Sequence, residues 1–260
     1  MTSHPRVSPL ALYDRDGGLF VPRPAAAGPW QQGTQNGGAV GALLATVGES
    51  VDADAGLVPM AIHIELLRPS PLSPLLPSVT VLRNGKRLHV VRVVLSAGSV
   101  DVAAATLVRL RPEGAALSTV ALVAGIPPPE LCARESLASP FFSIVECRIA
   151  AGGFQRTGPG AAWMRMQGEV VAGAAATPFA AAVLMADAGS GLSSLVSREQ
   201  WAFPNVTLSL HMHRAIVGHW LYLQSETITA GVGLAQVHTQ LSDTTGKSGY
   251  AHQTLCLAPR

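Results

Sequence analysis

Asp187 is an isolated carboxylate at the end of a long uncharged stretch, which makes it the first candidate for acid–base chemistry. Residues 170–186 carry no charge, and Asp187 follows them directly, near the end of a predicted helix. A carboxylate in apolar surroundings has a raised pKa, which suits a general base that works near neutral pH. The structural alternative is a helix-end carboxylate that bonds to nearby backbone groups or to an arginine.

Histidines and glycines elsewhere in the chain complete no other catalytic or cofactor motif. His211 and His213 stand two positions apart on a predicted strand, so they share a face, but no cysteine or carboxylate completes a metal-ligand set. Gly231 and Gly233 lie between two predicted strands, which argues against a dinucleotide loop. A G-x-S-x-G motif is absent, which argues against an α/β-hydrolase. We therefore predict neither a metal nor a cofactor.

The composition is that of an apolar chain with few charges. Of its 260 residues 48% are hydrophobic and 13% are charged, which is enough apolar content for one large core or two small ones. The net charge is +2 and the Lys and Arg residues are scattered, so we expect no nucleic-acid partner. Cys132, Cys147 and Cys256 are too widely spaced for a disulfide framework. A reduced, cytoplasmic location fits this pattern best.

The uncharged stretch at 170–186 nearly reaches the length of a membrane span. It is, however, rich in Ala and Gly, is interrupted by Pro178, and runs into Asp187. We therefore predict a strand end followed by a buried helix, and no contact with a membrane.

A repeat divides the chain into two similar halves. Arg68 falls on Arg214, 146 residues later, and the alternating apolar residues before them also coincide. At nearly the same offset, residues 94–96 match 240–242 and residues 110–112 match 257–259, while residues 42–44 match 182–184 at a slightly shorter one. The common order and near-constant spacing indicate a duplicated unit.

Each unit is predicted to hold one helix followed by four antiparallel strands. Apolar residues at helical spacing predict the helices, while period-two alternation and turn signals such as Asn84-Gly85 predict the strands. In the first half the helix is predicted at 37–51 and the strands at 61–67, 78–83, 88–96 and 100–111. In the second half the helix is predicted at 179–188, after strands at 142–149 and 161–168, and before strands at 206–213, 220–229, 234–242 and 248–257.

The stretch between the halves shows little periodicity and contains three consecutive prolines, Pro127-Pro128-Pro129. A long link of this kind is expected between two packed units. We predict an N-terminal unit at 1–114, a linker at 115–140 and a C-terminal unit at 141–260.

Several short motifs reinforce this plan. In the first half they are Gly28-Pro29-Trp30, Gln35-Asn36-Gly37-Gly38, Leu67-Arg68-Pro69 and residues 82–87; in the second half they are residues 186–191, Phe203-Pro204-Asn205-Val206, residues 211–214, Trp220-Leu221 and Gln253-Thr254-Leu255. With these motifs the chain resembles the TesB-like acyl-CoA thioesterases from about Tyr13 to its end. The resemblance implies an α+β double hotdog fold, in which two tandem units each wrap a helix in a curled antiparallel sheet.

The resemblance also implies a catalytic site. In the family an Asp on the first strand after the second helix activates a water, and a Thr on the next strand and a Gln on the last strand help to hold it. Gln253 matches the family Gln. A gap-free match puts Ile228 at the family Thr, so Thr227 or Thr229 takes that place with a shift of one residue. The family Asp falls on Thr207, whose hydroxyl can hold a water but cannot take its proton at neutral pH. Asp187 then becomes the candidate for a displaced base.

The start of the first helix is the expected substrate-binding element. Asn36, Gly37 and Gly38 open this helix. Its free N–H groups and its dipole both favour negative charge, so they can stabilise the oxyanion of thioester hydrolysis.

The resemblance implies a thioesterase of fatty acid metabolism that hydrolyses an acyl-CoA or an acyl-carrier-protein thioester. Thr207 at the Asp position would weaken it, since a lost general base costs roughly two to four orders of magnitude in rate. Two alternatives stay open: a paralogue that binds acyl thioesters without hydrolysis, and a pathway-specific non-thioesterase enzyme on the same fold. The low charge content also leaves room for a homo-oligomer.

Overall fold

Long antiparallel strands and two apolar helices make up most of the chain that the structure describes. The structure, a computed structural model, describes residues 10–114 and 125–260. The helices in these ranges are α1 (Gly37–Glu49), α2 (Pro140–Ile144), α3 (Pro178–Ala186) and α4 (Gly189–Leu192). The strands are β1 (Ala11–Asp16), β2 (Leu19–Pro22), β3 (Val58–Leu66), β4 (Leu76–Asn84), β5 (Leu88–Ala97), β6 (Val100–Leu110), β7 (Ala133–Arg134), β8 (Val145–Ala151), β9 (Gly160–Met166), β10 (Glu169–Val171), β11 (Trp201–Ala202), β12 (Asn205–Met212), β13 (Leu221–Thr229), β14 (Leu234–Asp243), β15 (Gly246–Cys256) and β16 (Ala258–Pro259).

One sheet of eleven antiparallel strands joins the two halves, in the order β4-β5-β6-β3-β12-β15-β14-β13-β9-β8-β7. The halves meet where β3 pairs with β12. Burial alternates along strands such as β5 and β14, so one face of the sheet covers the helices and the other faces outward. This is the helix-and-sheet plan predicted for each unit.

Helices α1 and α3 lie side by side and antiparallel beneath the sheet. Both are apolar on nearly every side, as expected of helices buried on all sides. Gly41 allows their close approach, because a Cβ atom there would lie only 3.0 Å from Val183 Cγ1. Each helix begins at a capping side chain: Asn36 accepts a hydrogen bond from the Ala39 N–H, and Thr177 accepts one from the Ala180 N–H.

One predicted strand is wrong at its start. Residues 142–149 were expected to be extended throughout, but α2 occupies the first part and β8 begins only at Val145. Pro140 stands in the first turn of α2, where its missing N–H costs nothing. Phe141 and Ile144 lie three residues apart and are both buried, which is helical spacing.

The uncharged stretch at 170–186 contains the end of β10, a turn and α3, as predicted. Within the described residues no helix is both long and apolar enough to cross a membrane.

Short strands outside the predicted pattern tie the halves together. β1 pairs with β2 in antiparallel fashion and with β10 in parallel, so the N-terminal segment contacts the second half. β7 lies inside the predicted linker and pairs with β8. Residues 115–124 of that linker fall outside the described ranges.

Candidate active site

The Asp187 carboxylate lies where the C-terminal end of α3 meets the N-terminal end of α1. Asp187 is the C-cap residue of α3 and is only 9% exposed. Asn205 Nδ2 donates a hydrogen bond of 2.8 Å to Asp187 Oδ1. Gln253 Nε2 donates to the Asp187 backbone oxygen at 3.1 Å and lies 3.5 Å from Oδ1. Two amide side chains from different strands therefore hold Asp187, Asn205 by its carboxyl group and Gln253 mainly by its backbone oxygen.

Burial sets the acidity of Asp187. Desolvation raises its pKa from the usual 3.8 to about 6, although hydrogen bonds from the Asn205 side chain and the Gly38 backbone act in the opposite direction. Among the described residues, none of the ion pairs includes Asp187. A carboxylate without a cation and with this pKa is ionised at neutral pH and can still accept a proton.

Gly37 and Gly38 allow the α1 N-terminus to approach the carboxylate. A Cβ atom on Gly37 would lie 3.2 Å from Asp187 Oδ1, and one on Gly38 would lie 2.8 Å from Asp187 Cβ. Any side chain at Gly38 would therefore push the two helices apart. As the first residue of α1, Gly37 has no acceptor for its N–H inside the helix. The positive end of the helix dipole is thus directed at the site.

α4 fixes the orientation of the Gln253 side chain. The Ser190 N–H donates to Gln253 Oε1 at 3.1 Å, so the amide oxygen faces α4 and the NH₂ group faces Asp187. Gly189 makes this possible, because a Cβ atom there would lie 2.5 Å from Thr239 Oγ1. Gln253 is 3% exposed, so its amide has little freedom to rotate away.

Two family models match the chain along most of its length. The model of the acyl-CoA thioesterase N-terminal domain covers residues 26–110, and the model of the acyl-CoA thioesterase C-terminal domain covers residues 123–257. The chain belongs to the acyl-CoA thioesterase family. No curated protein matches the chain.

Solved structures show the fold of this family member. A TesB protein from Mycobacterium avium paratuberculosis is 18% identical, with a TM-score of 0.72 over 95% of this chain and 96% of that chain. An acyl-CoA thioesterase II from Mycobacterium marinum is 16% identical, with a TM-score of 0.69 and 94% of each chain covered. A conserved protein of unknown function with a hot dog fold from Alicyclobacillus acidocaldarius is 15% identical, with a TM-score of 0.75 and 94% of each chain covered. The predicted double hotdog fold is confirmed.

Several candidate residues of this thioesterase-family chain do come together. The structure places Asp187 and Gln253 in contact, and Asn36, Gly37 and Gly38 open the helix that faces them. Asn36 also lines the cavity that contains Asp187.

The three threonines lie elsewhere. Thr207 is next to Leu208, which is buried and pairs directly with Gln253, so Thr207 points to the opposite face of the sheet. Thr229 is exposed and donates to the Leu234 backbone oxygen in a turn. Thr227 is buried, but its hydroxyl lies 2.7 Å from Ser193 Oγ, beyond α4. The structure thus corrects the expectation that these hydroxyl groups surround the water next to Gln253.

Asn205 is the residue that sequence reasoning missed. It belongs to the Phe203-Pro204-Asn205-Val206 motif, which indicated the family but no role for Asn205. A β-bulge between Asn205 and Thr207 changes the alternation at the start of β12, so the Asn205 side chain faces Asp187. The available signal was its place as the first polar residue of the strand that follows the second helix.

Two cavities meet at Trp30 and Asn205, which line both of them. The first, named here the Leu66 cavity, has a volume of about 390 Å³, and its other lining residues include Val40, Leu66, Leu67 and Pro204. The second, the Phe142 cavity, has a volume of about 60 Å³, and its other lining residues include Phe141, Phe142, Phe154, Asp187, Ser190 and Arg198. Trp30 and Asn205 therefore lie between the two cavities, and Asn205 also contacts the Asp187 carboxylate.

None of the histidines that the structure describes lines the two cavities at this site. His213 Nε2 lies 2.9 Å from the Lys247 backbone oxygen. His238 and His252 pair across the outer face of β14 and β15, with ring centroids 4.9 Å apart. In the part of the chain that the structure describes, no three His, Cys, Asp or Glu residues are placed to hold a metal ion.

Proposed function

We propose that the chain hydrolyses an acyl-CoA thioester, with Asp187 as the general base. The observation that carries the proposal is a buried carboxylate with a pKa of about 6, which accepts a hydrogen bond from Asn205 and lies 3.5 Å from Gln253 Nε2, at the N-terminus of α1. This combines a base of suitable strength with an oxyanion-binding helix end, within a family of thioesterases.

The chemical steps follow from these positions. Asp187 takes a proton from a water molecule, and the water oxygen attacks the thioester carbonyl carbon. The carbonyl oxygen becomes negative at the α1 N-terminus, where the N–H of Gly37 and the helix dipole stabilise it. The C–S bond then breaks, the thiolate leaves with the electron pair, and the proton on Asp187 passes to it. The products are a carboxylic acid and a free thiol.

The two amide side chains orient the base. Asn205 donates to Asp187 Oδ1, which helps to fix the orientation of the carboxyl group. Gln253 is locked by the Ser190 N–H and presents its NH₂ group beside the carboxylate, where it can also hold the attacking water. In this proposal Thr207, Thr227 and Thr229 have no catalytic role.

The Asp187 carboxylate also weakens the argument for a paralogue that binds acyl thioesters without hydrolysis. That alternative was motivated by Thr207 at the expected position of the base. With a carboxylate supplied by the end of α3, the missing strand Asp no longer implies a missing base, so hydrolysis is the function that we propose.

The test is release of free thiol from a panel of acyl-CoA thioesters of increasing chain length. Wild-type protein should turn over at least one of them, and Asp187→Asn should lower kcat by roughly two to four orders of magnitude. Thr207→Val is the matched control and should leave kcat unchanged within about twofold. An equal loss in the two variants, or full activity of Asp187→Asn, contradicts the assignment of the base.

A further inference from the structure

Arg198 is a cation beside the Asp187 site without an ion-pair partner in the structure. Its Nε atom is buried and has no hydrogen-bond partner among the described residues. Its guanidinium lies over two phenyl rings, 5.4 Å from the centroid of Phe154 and 5.7 Å from that of Phe203. Glu135 and Glu199 act on its charge from a distance, but neither forms an ion pair with it.

A partly buried cation that has lost part of its hydration costs free energy unless an anion binds to it. Burial lowers the pKa of Arg198, which is the expected response of a charge that has lost part of its water. The guanidinium group remains ionised and offers paired N–H donors in the geometry that suits a carboxylate or a phosphate. Among the described residues no carboxylate forms an ion pair with Arg198, so its unpartnered Nε–H group points to a ligand.

The position of Arg198 places that ligand close to the reacting carbonyl. Arg198 lines the Phe142 cavity together with Asp187. Its Nη2 also packs over Gly191, where a Cβ atom would displace the guanidinium group, and Gly191 directly follows Ser190, which orients Gln253. An anion bound by Arg198 would therefore lie at the same small cavity as the Asp187 carboxylate.

The position of Arg198 beside the reacting site distinguishes between two sources of the anion. The phosphates of CoA are removed from its sulfur by the whole pantetheine arm, whereas a carboxylate on a short acyl group lies a few bonds from the carbonyl. The Phe142 cavity, at about 60 Å³, also suits a short group better than a long chain. The larger Leu66 cavity then remains for the carrier arm, with Arg68 among its lining residues.

We propose that Arg198 binds the terminal carboxylate of a short acyl group, so that the site favours carboxyacyl-CoA substrates over neutral acyl-CoA substrates of the same length. This inference deepens the proposed function and rests on it. Arg198 also lines a neighbouring cleft of about 790 Å³, which shares Phe154 with the Phe142 cavity and is also lined by Arg156.

The test compares glutaryl-CoA with pentanoyl-CoA, which differ only in the terminal carboxylate. Wild-type protein should show a kcat/KM at least about tenfold higher for glutaryl-CoA, since a charge-assisted hydrogen bond is worth roughly that factor or more. Arg198→Gln should lower kcat/KM for glutaryl-CoA at least about fivefold more than for pentanoyl-CoA, so that the preference is removed. Arg198→Lys should restore part of it. Arg15→Gln is the control, because Arg15 is an exposed guanidinium over a phenyl ring, that of Phe20.

Two outcomes overturn the proposal. If Arg198→Gln slows both CoA substrates equally but spares S-pentanoyl pantetheine, which has no phosphate, then Arg198 binds the carrier. If the variant slows all three and lowers Tm, then Arg198 has only a packing role over the phenyl rings.

Failure of the proposed function is a separate result. If wild-type protein hydrolyses none of these thioesters, binding of the glutaryl and pentanoyl thioether analogues of CoA is measured by calorimetry. A preference for the glutaryl analogue that is lost in Arg198→Gln supports the proposal even then, and equal binding of the two analogues contradicts it.

Discussion

His63 and Ser209 mark the pseudo-two-fold axis of the molecule. They pair across β3 and β12, His63 Nδ1 lies 2.7 Å from Ser209 Oγ, and they are 146 positions apart. That separation equals the offset of the sequence repeat, so each residue is opposite its own counterpart. The two halves are therefore related by a rotation about an axis that passes between these side chains.

The symmetry fails at the candidate active site. Leu208 pairs with Gln253 in the second half, and its counterpart Ile62 pairs with Leu107 in the first half, so an apolar residue stands where Gln253 would be. At the other end of the helix pair, Thr177 donates to Glu49 Oε2 at 2.6 Å, and this contact joins the α1 C-terminus to the α3 N-terminus.

We therefore expect one ligand site per chain. Calorimetric titration of Asp187→Asn protein with a non-hydrolysable acyl-CoA thioether should give a stoichiometry close to one ligand per chain. Leu107→Ala is the control and should not change this stoichiometry. Two equivalent sites per chain would show that the first half also binds substrate.

The rate of hydrolysis should follow the ionisation of Asp187. Because its pKa is about 6, the carboxylate is protonated and inactive as a base at lower pH, and kcat/KM should rise through pH 6 to a plateau. The measurement is a pH–rate profile of kcat/KM. Asn205→Ala is informative here, since loss of its hydrogen bond should raise the pKa of Asp187 and move the midpoint upward. A profile flat between pH 5 and pH 8 contradicts the role of Asp187.

The free energy of unfolding should also depend on the ionisation of Asp187, but it should fall over the pH range in which the rate of hydrolysis rises. The folded-state pKa of Asp187 is raised from 3.8 to about 6, so the folded protein binds this proton more tightly than the unfolded chain does. The resulting stability is fully present below pH 3.8 and is lost as the pH rises through about 6. Asp187→Asn, which cannot ionise, should therefore stabilise the fold above pH 6, by up to about 3 kcal/mol.

Chemical unfolding of wild type and Asp187→Asn at pH 4 and pH 8 tests this expectation. The difference in unfolding free energy should be present at pH 8 and absent or small at pH 4. A variant that is less stable than wild type at pH 8 would mean that the charged form of Asp187 stabilises the fold.

The sequence predicted the fold well because its signals are local and repeated. Period-two alternation located the long strands, and the uncharged helix before Asp187 appeared as a continuous apolar run. α2 was missed because Phe141 and Phe142 also fit a strand. Pro140 in the first turn and the burial of side chains in the tertiary structure favour the helix instead. The short strands β1, β2 and β10 carry too few residues for a periodic signal.

The site was only partly predictable, for a geometric reason. Asp187 was visible as an isolated carboxylate, and Gln253 as a match to the family. Whether Asn205 or Thr207 faces Asp187 depends on a β-bulge, which changes the side of the sheet to which a side chain points. A bulge leaves no clear signal in the sequence. Arg198 could not be recognised, because its surroundings come from segments far apart in the chain.

The close approach of α1 to Asp187 gives the last prediction. Gly38→Ala would place a Cβ atom 2.8 Å from both Asp187 Cβ and the Leu184 backbone oxygen, so the helices must separate. We expect a loss of roughly 1–3 kcal/mol in unfolding free energy, as for other overpacked cores. Gly18→Ala is the matched control, because a Cβ atom there meets nothing within 4 Å.

The same variant separates stability from catalysis. In Gly38→Ala the α1 N-terminus moves away from the carboxylate, so kcat should fall even at a temperature where the protein is fully folded, whereas Gly18→Ala should retain wild-type kcat. Full activity in folded Gly38→Ala would show that the helix N-terminus does not stabilise the oxyanion, and the donor for that charge would then have to come from another part of the site.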